Sequence, residues 1–444
     1  MARLSLLAFV LLTATSVAQT YDFKGAARYS EQRGGHALLV MIDGKIVFES
    51  YANGWDATKP HYLASGTKSF TGVMVMMAVE DGLLTLNEKV SDTVTEWRSD
   101  PLRSQITYRQ LLSLTSGLDG GTNGQAPSYA DAIKTQATAA PNTKFQYGPN
   151  PFQSFGEALK RKLAAKKETV AQYYKRRLID PLGMSVPIWR NFSTGEPSLP
   201  SGAYLIAREW AKFGEMVRRG GLVGSKRLIR KNLLSQCFRG SKVKPLYGLC
   251  WWITTLNGSA LRAAVARGAG TQRLYVIGKH RMVIVRFGHA SNTWTENGFF
   301  EALMPATFHT FGAGCRGAGG APSLTAAAGS LPRLGTNLDL RVTKLPASAA
   351  GALYLGTSDK VFNSIPLPWD LTPYGMPGCS ALVSLNIALP FQAKAGVATP
   401  SLPIPSNRSL ITYSIYLQAL SIDPSANALG VTVSNGAGAR IGVR

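Results

Sequence analysis

A hydroxyl and an amine three residues apart, at the mouth of an apolar helix, constrain this chain more than any other feature. The stretch Tyr62-Leu63-Ala64-Ser65-Gly66-Thr67-Lys68-Ser69-Phe70 carries them as Ser65 and Lys68. Phe70, Val73, Met74, Met77 and Ala78 recur at helical spacing, and Gly82 supplies a left-handed stop, so a helix is expected over residues 70–80 with Ser65 at its start. Residues i and i+3 share a helix face, which brings the Lys68 amine to the Ser65 hydroxyl. The unpaired N–H groups and positive end of the helix favour negative charge beside Ser65. That is the layout of a nucleophile with an adjacent base, and it requires a lysine whose pKa is lowered by burial or by a second cation. The plainer reading makes Ser65 an N-cap and Lys68 a solvated first-turn lysine; the rest of the chain decides between them.

With 444 residues the chain has room for two domains, each with a sizeable core. Its net charge of +23 is spread without long blocks and would attract polyanions such as an acidic envelope polymer, an anionic lipid surface or nucleic acid. No helix-turn-helix, zinc-finger or basic-aromatic array is present to read bases, so no specific nucleic-acid partner is expected. Met1-Ala2-Arg3 precedes an apolar run from Leu4 to Leu12, and Ser16-Val17-Ala18 offers the small residues of a signal-peptidase site. A secretory leader over residues 1–18 follows, with the mature chain starting near Gln19 in the periplasm, at the cell surface or outside the cell. No later stretch has the roughly twenty apolar residues of a membrane span. Four cysteines permit three complete pairings, and proximity along the chain favours Cys237 with Cys250 and Cys315 with Cys379. No His or Cys stands at ligand spacing from them, so neither metal nor cofactor is expected.

Taken in order, His36–Ile42 and Lys45–Ser50 read as strands of a hairpin turned by Asp43-Gly44. Ile106–Leu118 reads as a short helix with Thr107 as N-cap and Gly117 as exit, and residues 119–144 as a polar surface loop over a cleft. Tyr147 follows on a turn before a helix, where a phenol projects into a pocket. Residues 157–240 are helical and basic. Tyr247–Ile253, Arg273–Ile277 and Met282–Phe287 read as strands returning to the first sheet, and residues 290–309 as a closing helix. Gly268-Ala269-Gly270 permits close backbone approach, as an oxyanion site requires. From Pro322 onward short alternating strands separated by Pro, Gly, Ser and Asn turns indicate a β-sandwich.

Together, Ser65-Gly66-Thr67-Lys68, the Ile106–Leu118 segment, Phe145-Gln146-Tyr147, the Gly202–Phe213 helix, Tyr247-Gly248-Leu249 with Trp251-Trp252, and Gly268-Ala269-Gly270 before a Tyr-Val-Ile strand resemble the serine β-lactamase and penicillin-binding-protein-like family, especially its class C and esterase branches. The resemblance covers roughly residues 25–308. It implies an α+β fold, an antiparallel sheet flanked by helices with a helical subdomain and the active site between them. It further implies Ser65 as the acylated nucleophile, Lys68 as its base, Tyr147 as proton relay, an oxyanion hole from the Ser65 and Ala269 amides, and substrate contacts from Gly268, Gly270 and Asn150. Two departures stand out. The family's Tyr-x-Asn becomes Tyr147-Gly148-Pro149 with Asn150 one place late, and its Lys/His-x-Gly becomes Ala266-Arg267-Gly268, where Arg267 should point to the other face of its strand. Both fall on groups that support β-lactam turnover, which favours cleavage of a small-molecule or peptide-like ester or amide.

The C-terminal part resembles a secreted β-rich module appended to some exported bacterial proteins, through Gly314-Cys315, Gly335, Pro377-Gly378-Cys379, Ile404-Pro405-Ser406, Gln418-Ala419, Asp423-Pro424 and Ser434-Asn435-Gly436. The expected organisation is a leader over 1–18, a hydrolase domain over 19–310, a Gly/Ala-rich junction over 311–330 and a β-sandwich module over 331–444. The competing readings are a non-catalytic protein of the same fold that binds an anionic envelope polymer, and a true β-lactamase.

Overall fold

The computed structural model of the chain describes residues 21–255 and 262–443. The expected leader over residues 1–18 lies outside them. Among the described residues, 27–255 with 262–295 make one unit, and 21–26 with 296–443 make another.

The first unit is built on a six-stranded antiparallel sheet. Helix α1 (Phe23–Glu31) leads into β1 (Gly35–Ile42) and β2 (Lys45–Tyr51), the hairpin that Asp43-Gly44 turns. After the helical part of the chain, β3 (Trp252–Thr255), β4 (Arg262–Gly268), β5 (Gln272–Ile277) and β6 (Met282–Gly288) complete it in the order β2-β1-β6-β5-β4-β3. The continuous apolar run Ala37–Ile42 explains why β1 lies inside the sheet: every residue of the strand is buried, with Val40 facing Ile284 on one side and Phe48 on the other.

The helices that carry the site lie between β2 and β3 in the chain. Helix α2 (Lys68–Glu80) is apolar nearly all round and buried from Lys68 to Ala78, which makes it the central helix of its unit. Helix α3 (Tyr108–Leu112) starts at Thr107 in a reciprocal capping box with Gln110, and it stops at Ser113, earlier than Gly117. Helix α4 (Asn150–Leu163) packs on α3, and helix α5 (Ala207–Arg218) packs on β1, β5 and β6, with Phe213 stacked on Phe70 at 4.2 Å and Trp210 on Phe287 at 5.6 Å. A three-stranded sheet of Ile188–Trp189, Ala203–Leu205 and His61–Tyr62 holds the chain immediately before Ser65.

The second unit contains helix α6 (Glu296–Leu303) and a strand-rich region. The expected helix over 290–309 ends at Leu303, and Thr307–Phe311 is instead strand β7, paired with β14 (Val431–Arg440). Between them run β8 (Ser323–Ala326), β9 (Asn337–Thr343), β10 (Ala350–Gly356), β11 (Ile387–Gln392), β12 (Ser401–Pro403) and β13 (Ser414–Ile422). A five-stranded sheet, β7-β14-β13-β10-β11, and a three-stranded sheet, β8-β9-β12, share one apolar core through Leu324, Leu340, Leu353, Leu417 and Ala437.

Cys315 and Cys379 are bridged across a sequence separation of 64 residues. Cys237 and Cys250 are not: both are buried free thiols. Their nearness in sequence misleads because each sulfur turns to a different carbonyl, Cys237 to Gly72 of α2 at 3.0 Å and Cys250 to Leu112 of α3 at 3.7 Å. Alkylating the unfolded, unreduced protein is expected to label Cys237 and Cys250 only, read by peptide mass spectrometry. Replacing Cys315 and Cys379 together by Ala is expected to destabilise the strand-rich unit by about 2–4 kcal/mol in urea denaturation, the scale for closing a long loop.

Candidate active site

Ser65 sits in a tight turn, Ala64–Thr67, that runs without a break into α2. Ala64, just before it, is held at φ +48°, a left-handed conformation that costs a non-glycine residue about 1 kcal/mol or more. The turn is tied on both sides: Leu63 N–H donates to Ala203 O at 3.0 Å, and Ala203 N–H donates to Thr67 Oγ1 at 3.2 Å. Leu63 and Thr67 therefore have little freedom, and Ser65 is carried between them on a fixed arch.

Lys68 Nζ lies 3.0 Å from Ser65 Oγ and 3.1 Å from Pro200 O. It also stands 4.9 Å from the Tyr147 ring centre and 5.1 Å from that of Phe152. The side chain is buried and no carboxylate pairs with it among the described residues. Burial pushes its amine down to about 7, the Cys250 thiol opposing by a smaller amount. Tyr147 completes the group: its phenol is hydrogen-bonded to Ser65, and burial raises it above the ordinary phenol range. Three rings hold it, Trp252 at 5.9 Å, Tyr247 at 6.3 Å and Phe145 at 6.5 Å.

The Gly268-Ala269-Gly270 segment reaches the same place. A Cβ at Gly268 would lie 2.1 Å from Leu63 O, so only glycine lets the end of β4 pack against the backbone two residues before Ser65. Neither Ser65 N–H nor Ala269 N–H donates to another backbone group among the described residues, leaving two amides in reserve. The turn that follows runs through two left-handed residues, Gly270 at φ +73° and Thr271 at φ +63°.

Asn150 does not join Lys68. Its carboxamide donates to Asp119 O at 3.2 Å and its backbone N–H to Gly120 O at 3.1 Å, so it fastens α4 to the loop beside Tyr147. Ala266 is buried and faces α5's side of the sheet, while Arg267 lies over the Trp252 ring at 5.3 Å. Two contributors were invisible in the sequence. Pro200 supplies the carbonyl that takes the lysine, and the fully buried Gln153 holds that segment by accepting from Leu199 N–H at 3.0 Å while donating to Pro127 O at 2.8 Å. A glutamine inside the apolar α4 was the available signal.

Behind the arch three histidines form a row. His61 Nδ1 faces Tyr62 O at 3.1 Å and must donate there, so its Nε2 accepts from His36 Nδ1 at 2.9 Å, and His36 Nε2 accepts from His289 Nδ1 at 3.3 Å. Burial and the neighbouring His61 hold His36 down to about 4, and burial lowers His61 as well.

A family model described as Beta-lactamase matches residues 18–303. Protein flp of Staphylococcus aureus strain MW2 is 25% identical over 170 residues, 34% of each chain, so the chain spans about a third of the length of the curated relatives it matches. Among solved structures, EstCE1, a hydrolase with promiscuous acyltransferase activity, superposes with a TM-score of 0.53 at 14% identity over 65% of this chain and 97% of its own. A D-stereospecific amidohydrolase from Streptomyces sp. does so with 0.52 at 16% identity, over 63% and 98%. At these identities the likeness to both structures is one of fold.

A buried amine titrating near 7 carries a cost to the fold. Between about pH 7 and 10.5 the unfolded chain holds a proton on Lys68 that the folded chain lacks, so this contribution to stability improves as pH rises and is worst below 7, by up to roughly 5 kcal/mol. Lys68→Met is accordingly expected to be more stable than the parent by about 1–3 kcal/mol at pH 6, with the advantage shrinking by pH 9; urea denaturation at the two pH values reads it, and a pH-independent difference would contradict it.

Proposed function

The chain belongs to the beta-lactamase family, and from that membership we propose that it is an exported serine hydrolase that cleaves an ester or amide bond through an acyl-enzyme on Ser65. The observation that carries this reading is the Lys68 amine, 3.0 Å from Ser65 Oγ, buried, unpaired by any acid and titrating near neutrality. In its neutral form the Nζ lone pair takes the Ser65 Oγ proton as the oxygen attacks the substrate carbonyl carbon. Pro200 O keeps one amine hydrogen, so the lone pair stays turned toward the serine. Negative charge then develops on the carbonyl oxygen, where the Ser65 and Ala269 amides are the donors in reserve; one such donor is worth about 3 kcal/mol in acyl transfer.

Breakdown of the tetrahedral intermediate expels an alcohol or amine that needs a proton. The Tyr147 phenol, hydrogen-bonded to Ser65 and kept protonated by burial, is placed to hand it over and to be reprotonated from Lys68. Water repeats the sequence on the acyl-enzyme and frees Ser65. Ala266 and Pro149, where the family carries polar side chains, support an ester or unstrained amide over a β-lactam as substrate. The hydrolase named in one structural neighbour and the amidohydrolase in another agree with that class. Export is supported by the leader over residues 1–18 and by the Cys315–Cys379 bridge, which persists in oxidising compartments. The strand-rich C-terminal module is read as an attachment or binding element.

Intact-mass spectrometry after exposure to a fluorophosphonate, an activated ester and a penicillin is expected to show one adduct on the parent protein and none on Ser65→Ala. Acylation should rise about tenfold per pH unit up to roughly pH 7 and then level off, because the reactive form is neutral Lys68. Absence of any adduct on folded protein, with salt-sensitive polyanion binding, would return the non-catalytic binding protein instead.

A further inference from the structure

The turn Ala269–Thr271 is held from two sides by groups that take no part in the chemistry described above. Gln272, buried at the first position of β5, points its carboxamide back under the turn: Nε2 donates to Ala269 O at 3.2 Å, Gly270 O at 3.1 Å and Gly288 O at 2.6 Å, and Oε1 accepts from Gly288 N–H at 3.0 Å. One amide group thus ties the peptide planes following Ala269 to the end of β6. From the other side comes Arg286, fully buried and without an acidic partner among the described residues. Its guanidinium donates to Thr271 O at 3.0 Å and to the Thr271 hydroxyl, and also to Ser30 Oγ and Arg33 O.

This is more restraint than a connection between two strands needs. A two-stranded connection would settle into an unstrained turn, yet here a β-branched residue, Thr271, sits at φ +63° next to Gly270 at +73°. What the strained turn fixes is the Ala269 amide, which follows the glycine jammed against Leu63 O. Strain of this kind persists where the surroundings over-determine it, and it concentrates at sites that need a group aimed in advance.

We infer that Gln272 is a positioning residue for the oxyanion site: its carboxamide locks the Ala269–Thr271 turn so that the Ala269 N–H stays aimed at the carbonyl oxygen of a substrate on Ser65, with Arg286 bracing the far end. The inference rests on the acyl-enzyme reading of Ser65. It assigns Gln272 an effect on the transition state, where the oxygen is charged, and little effect on substrate binding.

The test uses the full chain with para-nitrophenyl acetate and its thionoester analogue, whose larger, weakly accepting sulfur gains little from an oxyanion hole. Gln272→Glu keeps the shape and the acceptor but removes both donor hydrogens above its pKa; Gln272→Met keeps the volume and loses both polar ends. Each is expected to lower kcat on the oxygen ester about 10- to 100-fold with KM nearly unchanged, less than deleting a donor outright, and to lower the oxygen-over-sulfur preference. Below its carboxyl pKa, Gln272→Glu regains one donor hydrogen and should recover part of that preference, which a merely structural role would not produce. Folded variants with the parent's kcat and preference would overturn the inference while leaving Ser65 catalysis standing. Loss of folded protein in both would overturn it too, since the carboxamide would then serve the fold. A parent protein that forms no adduct at Ser65 would overturn the reading and the inference together.

Discussion

An amine buried without a counter-charge is the constraint around which the first unit is arranged. Lys68 is taken out of water beside two aromatic rings, and among the described residues its compensation comes from a hydroxyl and a main-chain carbonyl. A carboxylate in that place would stabilise the charged form and raise the amine's pKa, removing the basis for the role proposed for it at neutral pH. Leaving it wholly unpartnered would cost more than a domain of this size tolerates. Carbonyl and hydroxyl acceptors are the intermediate solution. They satisfy hydrogens without adding opposing charge, and so hold the amine close to its titration point.

The same solution recurs at Arg286, whose guanidinium is spent on two carbonyls and two hydroxyls, with the Trp294 ring at 3.8 Å. A guanidinium stays charged even when burial pulls it down to about 10, so here the outcome is mechanical. Four hydrogen bonds from one rigid plane bind α1's end, the loop after it and the turn beyond β4 together. Lys68 and Arg286 thus use one kind of environment for opposite purposes, a proton that moves and a scaffold that does not.

Legibility in the sequence followed the range of each interaction. The Ser65–Lys68 pair was readable because i,i+3 geometry is local, and the Asp43-Gly44 hairpin and the Thr107 N-cap for the same reason. Tyr147 and the Gly268-Ala269-Gly270 segment were readable only as parts of an ordered set of motifs. Gln153 and Gln272 left no comparable trace: a lone glutamine has no period, and each also reaches a partner far along the chain, Leu199 at 46 residues and Gly288 at 16. Where chain proximity was used in place of geometry it misled, as at Cys237 and Cys250, whose sulfurs face different helices. The expected closing helix ran on to residue 309, but pairing with β14, a partner more than a hundred residues along the chain, makes Thr307–Phe311 a strand.

Two strained residues, Ala64 and Thr271, frame the places where Ser65, the proposed nucleophile, and the Ala269 amide are held. Each is held in the left-handed region by bonds that converge from several elements: the short strands and Thr67 around the first, Gln272 and Arg286 around the second. Relaxing either turn would lower the conformational energy locally while moving a reactive group by a fraction of its working distance. Free energy from packing and hydrogen bonding is therefore held as geometry at these two turns, and acyl transfer is the chemistry that gains most from it. Its transition state differs from its ground state chiefly by charge on one oxygen, and fixed donors stabilise that charge without having to reorganise when it appears.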